Sequence, residues 1–409
     1  MIKHKEGRRD FIKKTGLAAA GFTIVPSFVL GGKNHIAPSD KLNIAAIGAG
    51  GKGHGSLKAM KSENIVALAD VDWKRAKGAF EEFPNAKKYK DYRIMLEKHP
   101  EIDAVVISTP DHTHAIAGLA CMDLDKHVYI EKPLAHTIEE VRALTEMSKR
   151  KPHLITQMGN QGASGEGIRR SQELYESGLI GEVTKVTAWT NRPVWPQGGA
   201  VPTEAQPVPD HLDWNLWLGP AEWREYNEAY LPFSWRGYWD FGTGALGDMG
   251  CHILDTPFYL LELGYPISAE ASVGQVYSQP WSADYHPGSC PPSSKIHIKF
   301  PARGNKPPVE LEWMDGGILP GRPDELAPDE PMGSGDGGFI LEGTKGKLLA
   351  DVYGRNPRLL PTSKMEDLNL PISIPRLNHS HNMDWVNGIK ANYQPSSHFG
   401  KAGPLTETV

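Results

Sequence analysis

Asp248 and His252 stand four residues apart in the stretch GALGDMGCHILD, residues 244–255. On a helix that spacing puts both side chains on one face, with Asp255 three positions further along. A carboxylate so placed can orient an imidazole tautomer and raise its basicity, and the pair suits removal of a proton from a hydroxyl. Two other readings stay open. One is a histidine packed in an apolar core; the other is a metal site of Asp248, His252 and Asp255, whose remaining ligands are not visible in the sequence. Lys132 sits between Glu131 and Pro133, directly after the apolar run 127–130. Partial burial or a neighbouring positive charge would lower its pKa into a range useful for proton traffic. A solvated lysine in a turn is the alternative.

Such groups need a scaffold, and residues 41–72, KLNIAAIGAGGKGHGSLKAMKSENIVALADVD, supply most of one. An apolar run (42–47) ends in Gly48-x-Gly50-x-x-Gly53; a helix-compatible stretch follows, then a second apolar run (65–69) ending in Asp70. This is a dinucleotide fingerprint with its strand–turn–helix–strand context. Gly48 permits the tight turn, Gly50 lets backbone approach a pyrophosphate, and Gly53 lets the helix pack on the strand. The helix N-terminus offers unpaired N–H groups to phosphates. Asp70 can accept hydrogen bonds from the adenosine ribose, and its charge repels a 2′-phosphate, which favours NAD over NADP. Lys74 and Arg75 lie close behind and either bind such a phosphate or begin a solvated helix face. Beside a nicotinamide, Lys132 is placed to meet a substrate. The polar cluster Ser108–His114 falls at the end of another predicted strand, where ligands bind in open α/β sheets.

The βα rhythm continues through predicted strands at 104–108, 127–130 and 154–157 and helices at 92–98, 115–122 and 138–150, which implies a parallel sheet with helices on both faces. The first domain is therefore residues 41–157. From 158 to 409 the strands at 182–191, 270–277, 295–300 and 309–315 and a hairpin at 338–352 mix apolar and polar residues, as in a mostly antiparallel sheet with one face buried. Helices are predicted at 165–177 and 245–263. Seven of the eleven tryptophans lie between Trp189 and Trp239. Trp195 and Trp239 either stack on the apolar face of a sugar ring or pack in the core.

The chain carries 409 residues and a net charge of −5, which argues against a general nucleic-acid binder. Three cysteines make no disulfide framework and no metal spacing. Residues 1–32 read as a leader. Arg8-Arg9-Asp10-Phe11-Ile12-Lys13 precedes a short apolar run, the layout of a twin-arginine export signal, and Gly and Pro26 interrupt the run too often for a membrane span. A periplasmic location follows.

Taken together, the Gly48 fingerprint, Glu131-Lys132-Pro133 and Asp248-x-x-x-His252 resemble the Gfo/Idh/MocA oxidoreductases, named for glucose–fructose oxidoreductase, inositol dehydrogenase and a rhizopine-catabolism protein. The resemblance covers nearly all of the chain after the leader. It implies a Rossmann domain followed by an α/β domain with an open, mostly antiparallel sheet, NAD or NADP as cofactor, and polyhydroxylated substrates. It assigns catalysis to Lys132, Asp248 and His252, and cofactor contacts to Gly48, Gly50, Gly53, Asp70, Thr109, Pro110, His114, Glu131 and Lys132. The Gly159-Asn160-Gln161 turn and the segment Asn191–Trp195 resemble an exported subgroup acting on sugars or glycosides, which makes Asn160 a substrate residue. Relatives continue into a further helix where this chain stops, so a truncated C-terminus is expected, and a homo-oligomer formed through the open sheet. The expected reaction is hydride transfer between a sugar or glycoside carbon and a tightly bound NAD. Redox-neutral glycoside cleavage through transient oxidation at C3, and a non-catalytic sugar- or NAD-binding protein, are the alternatives.

Overall fold

The computed structural model describes residues 40–366 and 368–409; the predicted leader lies outside the described residues. Six strands, β1 (Asn43–Ile47), β2 (Asn64–Ala69), β3 (Lys87–Tyr89), β4 (Ala104–Ile107), β5 (His127–Ile130) and β6 (Thr156–Met158), form a wholly parallel sheet in the order β3-β2-β1-β4-β5-β6. Helices α1 (Lys52–Ala59), α2 (Trp73–Glu82), α3 (Tyr92–Lys98), α4 (His114–Asp123) and α5 (Ile138–Arg150) connect them. Strand composition explains the arrangement. All four residues of β4 are buried, as an apolar strand covered on both faces must be. The α5 helix starts where Thr137 and Glu140 satisfy each other's backbone amides and ends in Lys149 and Arg150, which complement its dipole. β1 has β2 on one side and β4 on the other, so the order reverses there and a crevice opens at the carboxyl ends of both strands. This is the doubly wound order of a Rossmann sheet.

The chain then runs through α6 (Glu166–Glu176), β7 (Val183–Thr190), α7 (Trp214–Leu218), α8 (Gly244–Ile253), α9 (Asp255–Leu261), β8 (Ser268–Val273), β9 (Ser294–Phe300), β10 (Val309–Met314), β11 (Gly337–Gly343), β12 (Lys347–Asp351), β13 (Arg358–Leu360), α10 (His381–Ala391) and α11 (Phe399–Thr408). The strands make a second sheet in the order β13-β12-β11-β7-β10-β9-β8, antiparallel at every pairing except β7 with β10. This matches the mostly antiparallel sheet expected of the second half. One hydrophobic cluster joins residues of both sheets, from Val105 and Ile130 to Leu311 and Phe339.

Three expectations are corrected. The helix predicted over 245–263 is two helices, parted at Leu254; Pro257 brings no N–H and fits only a first turn, so the second helix starts afresh at Asp255. The tryptophan-rich segment stacks mainly on itself: Trp214 lies on Trp217 with ring centroids 4.8 Å apart, inside an aromatic cluster with Tyr230, Trp235 and Phe241. The last third also holds two unforeseen helices, α10 and α11. They return to the first sheet, where the Trp385 indole donates to the Ile155 carbonyl at 3.2 Å and the Phe399 amide donates to Thr156 Oγ1 at 3.1 Å.

A buried carboxylate fastens the long segment before α10. Arg376 donates to Glu173 Oε1 at 2.7 Å and to Oε2 at 2.9 Å, and the amides of Ser373 and Ile374 donate to Oε1. The Arg376 guanidinium and these amides hold the Glu173 carboxyl at about 2, against an ordinary value of 4.5. A carboxyl whose pKa is depressed by folding contributes stability that is complete above its unfolded value and is lost as the pH falls through its folded one. Stability should therefore decline between about pH 4.5 and pH 2 on this group's account. Glu173→Gln should flatten that part of a curve of denaturation midpoint against pH; an unchanged slope would mean that Glu173 is not the group lost.

Candidate active site

The crevice at the ends of β1, β4 and β5 continues into a cavity of about 540 Å³, within the usual range for small-molecule sites. Its wall contains Gly48, Gly50, Asp70, Thr109, Pro110, Glu131, Lys132, Asp248 and His252. Nine of the residues singled out from sequence thus converge from five separate stretches of chain.

At the glycine turn, Gly48 has φ 79°, and a Cβ there would lie 2.7 Å from the Ser108 carbonyl carbon. A Cβ on Gly53 would lie 1.9 Å from the Gly48 carbonyl oxygen, so α1 packs on the turn as the spacing predicts. No side chain caps α1, which leaves its first amides open to an anion. The Asp70 carboxylate accepts from the Gly50 amide at 2.9 Å and the Asp72 amide at 2.9 Å. Each oxygen keeps a lone-pair direction for a ribose hydroxyl. Burial pushes Asp70 up to about 6, against the pull of those two amides. Arg75, one of two residues expected on a solvated face or at a phosphate, lines the cavity and lies over Gly51, where a Cβ would be 2.6 Å from Nη2.

At the other end, Lys132 Nζ donates to Asp248 Oδ1 at 2.6 Å and to the Asp248 carbonyl at 2.8 Å. Asp248 is carried by α8, whose start is fixed by Gly244 at φ 63° and by Thr243 Oγ1 donating to Asp111 Oδ2 at 2.9 Å. Burial alone would raise the Asp248 carboxyl, but the Lys132 and Arg236 cations outweigh it and hold the carboxyl at about 2. His252 lies one turn further along α8, its ring centroid 4.8 Å from that of Tyr353. Burial, reinforced by the Lys132 charge, pushes the His252 imidazole well below its usual range. Its Nδ1 is buried without a hydrogen-bond partner, as are Thr109 Oγ1 and Glu131 Oε1. The carboxylate expected to orient His252 is given to Lys132 and Arg236 instead; no hydrogen bond joins it to the imidazole.

Six sequence-derived candidates stand outside the cavity wall. Gly53 serves from behind, through packing. His114 is buried and both ring nitrogens face backbone carbonyls, Pro133 at 2.7 Å and Thr109 at 2.9 Å, so it ties two turns together and has no atom free for a cofactor. Asn160 is wholly buried and donates to the Cys251 carbonyl at 2.8 Å, closing the end of α8, so no substrate reaches it. Asp255 is pushed up to about 7 by burial, and it opens α9 instead of continuing the helix that carries Asp248 and His252. Trp195 is buried edge-on against Phe233, a core role. Trp239 is half exposed, but outside the cavity. Sequence reasoning missed Arg236 and Tyr353. Arg236 left a weak signal, a cation among aromatic residues. Tyr353, a non-glycine residue at φ 65°, left none. Among the described residues no group of His, Cys, Asp and Glu could hold a metal ion.

The family model described as the NAD-binding Rossmann fold of an oxidoreductase family, GFO_IDH_MocA, matches residues 42–158. The model for that family's C-terminal alpha/beta domain matches residues 165–279, and together they cover more than half of the chain. The chain belongs to the Gfo/Idh/MocA oxidoreductase family. Among curated Gfo/Idh/MocA proteins it is similar to inositol 2-dehydrogenase/D-chiro-inositol 3-dehydrogenase of Lacticaseibacillus casei, 31% identical over 36% of this chain and 43% of the relative. Levoglucosan dehydrogenase of Pseudarthrobacter phenanthrenivorans is 26% identical over 54% of this chain and 51% of the relative. The chain thus spans about half the length of the curated relatives it matches. Among solved structures, levoglucosan dehydrogenase in complex with NADH superposes with a TM-score of 0.59 at 20% identity, covering 90% of this chain and 94% of that one. The aldose-aldose oxidoreductase from Caulobacter crescentus complexed with glycerol gives 0.56 at 15%, covering 90% and 95%. These two share the fold.

The residues present fit NAD. Gly48 and Gly50 leave no room for a Cβ, α1 keeps open amides, and Asp70, Thr109 and Glu131 offer acceptors without other claimants on at least one site. Asp70→Asn removes the charge opposed to a 2′-phosphate while Arg75 stays in place. The ratio of NADP to NAD affinity should rise by about tenfold or more. Titration of both dinucleotides checks this, and an unchanged ratio would mean that Asp70 does not face the ribose.

Proposed function

We propose that this protein is an NAD-dependent oxidoreductase that transfers a hydride between the hydroxyl-bearing carbon of a sugar or glycoside and a tightly held nicotinamide. The observation that carries the reading is the placing of Lys132, Asp248 and His252 in one cavity wall with the glycine turn and Asp70. NAD, when bound, supplies the hydride acceptor. Lys132 binds the reacting oxygen and stabilises negative charge developing there. Asp248, ionised at every physiological pH, fixes the Lys132 ammonium from behind. His252, kept neutral by burial and by the Lys132 charge, accepts the hydroxyl proton. Because no protein group claims its Nδ1, either tautomer is open to it. The names of the relatives, inositol and levoglucosan dehydrogenases, support a polyhydroxylated substrate.

Export through the paired arginines Arg8 and Arg9 belongs to the same proposal, since it explains why the dinucleotide must stay bound: outside the cytoplasm no pool of free NAD replaces it. The outer face of the seven-stranded sheet is the surface proposed for self-association, with the sedimentation coefficient as its check. Purified protein, denatured and centrifuged, should release close to one dinucleotide per chain into the supernatant. Protein that comes away empty and binds NAD only weakly would remove the retained-cofactor reading and leave a dehydrogenase that exchanges its cofactor. Formation of NADH with a panel of sugars and glycosides tests the reaction itself; release of the aglycone without NADH would point to cleavage instead.

A further inference from the structure

Two arginines that the proposed reaction gives no contact with substrate or cofactor stand in the same cavity wall. Arg192 follows β7, and Arg236 lies in a single 3-10 turn, Ser234–Gly237. With Lys132 they set three cations around one carboxylate. Asp248 Oδ1 is 2.6 Å from Lys132 Nζ and 3.3 Å from Arg236 Nε, and Oδ2 is 4.0 Å from Arg192 Nε. All four side chains are between 11% and 21% exposed. Two of the other acids nearby are already engaged, and Glu131 keeps an unpartnered oxygen that is left to the dinucleotide. Asp336 accepts from Arg192 Nη1 at 3.0 Å, Asp111 accepts from Thr243 at 2.9 Å, and Glu131 is 3.8 Å from Lys52. Arg236 gives Nη1 to the Phe233 carbonyl at 3.3 Å, and its guanidinium is held against the Phe233 and Trp235 rings at 4.1 and 4.2 Å. What remains is Nη2 of Arg192 and Nη2 of Arg236, neither with an acceptor among the described residues.

A sugar hydroxyl donates as well as accepts, and a wall built for neutral sugars alone supplies both kinds of partner. Around Lys132 the wall is rich in charged donors, and the Asp248 carboxylate is already shared among three of them. Guanidinium groups pair best with carboxylate or phosphate oxygens, and here three cations share the two carboxylates of Asp248 and Asp336. We propose that the substrate is an anionic sugar whose carboxylate or phosphate group is held by Arg192 and Arg236. This rests on the oxidoreductase reading for the role of Lys132, which takes the reacting oxygen of the same molecule.

Binding can be measured apart from turnover. Dissociation constants are taken from tryptophan fluorescence of the NAD-loaded protein, for Trp235 underlies Arg236. The ligands are D-glucose, D-glucuronate and D-glucose 6-phosphate, then D-galactose and D-galacturonate. The expected result is that an anionic member binds at least about tenfold more tightly than its neutral partner in one series. Whether the uronate or the phosphate leads identifies the anion. Arg192→Gln and Arg236→Gln should each shrink the preference, and together abolish it, with the NAD content unchanged. Equal or tighter binding of the neutral sugars overturns the proposal, as does absence of binding in both series or a preference that survives in the double variant. NADH formation separates the two readings. Turnover of neutral sugars without anionic preference leaves the oxidoreductase standing and removes the anion site; anionic preference without any turnover does the reverse.

Discussion

Lys132→Ala should lower kcat by roughly 10²- to 10⁴-fold, the scale of a positioned acid–base or charge-stabilising group. The reason is geometric. The Lys132 ammonium is the cation that Asp248 holds at 2.6 Å in a cavity wall, and removing it leaves the developing oxyanion without its partner. The Asp248 carboxylate would still face Arg236, so the fold should survive, and the dinucleotide content with it. His252→Ala should be comparably severe, and the double variant should lose less than the product of the two single losses, because both residues act on one proton transfer. Asp248→Asn should also be severe, but by releasing Lys132 rather than by changing the His252 tautomer; a shift in the pH profile that follows Lys132 would mark that difference. Near-normal turnover in Lys132→Ala on a confirmed substrate would sink the assignment of the site. Steady-state rates with NADH absorbance, beside a count of bound dinucleotide, distinguish these outcomes.

Gly53→Ala should be a heavily damaging methyl group in the dinucleotide turn. The new Cβ would sit 1.9 Å from the Gly48 carbonyl oxygen and 3.3 Å from the Ser108 Cβ, so α1 must move off the sheet. Overpacking of this kind costs typically 1–3 kcal/mol, and here the displaced helix is the one whose amides face the pyrophosphate. Bound dinucleotide should fall to roughly a tenth or less, as expected when pyrophosphate contacts are lost. Gly55→Ala, in the same helix and with nothing within 4 Å of its new Cβ, is the control. It should raise stability by about 0.5–1 kcal/mol, the usual gain of alanine over glycine in a helix. Melting temperatures and dinucleotide counts for both variants decide the matter: equal behaviour would mean that the close approach at Gly53 is not what holds the turn.

The parallel sheet was legible because its signals are local. Asn43–Ile47 and Asn64–Ala69 are short apolar runs ending in glycine or aspartate, and α5 begins and ends within the sequence's own capping residues. Lys132 and Asp248 were legible as separate motifs, each at the end of a recognisable element. Their contact was not, for nothing local pairs residues 116 positions apart. The same limit explains the errors. Asn160 and His114 look like site residues because they are polar and sit beside motifs, yet Asn160 Nδ2 is given to the Cys251 carbonyl and both His114 nitrogens to the carbonyls of Pro133 and Thr109. Trp195 and Trp239 read as sugar platforms or as core, and space decides differently for each: Trp195 packs edge-on against Phe233, while Trp239 is half exposed outside the cavity wall. Tyr353 reaches the cavity on a left-handed residue that no periodicity marks.

The return of α10 and α11 to β6 also bears on when the protein becomes a protein. Gln157 donates to the carbonyl of His381, Trp385 to that of Ile155, and Phe399 to Thr156, contacts that bridge 224 to 243 positions of chain. During synthesis the edge of the first sheet, Thr156–Met158, is made early and waits without these partners until residues 381–399 have left the ribosome. Folding in which the N-terminal half completes first, the usual order for long chains, is denied to it. The dinucleotide cradle of β1, β2 and α1 lies on the finished side of that sheet, so early capture of the cofactor would be a way to steady the half-made molecule. A nascent chain stalled near residue 370 should then be rescued from proteolysis by NAD only in part, and one stalled after Val409 has emerged fully.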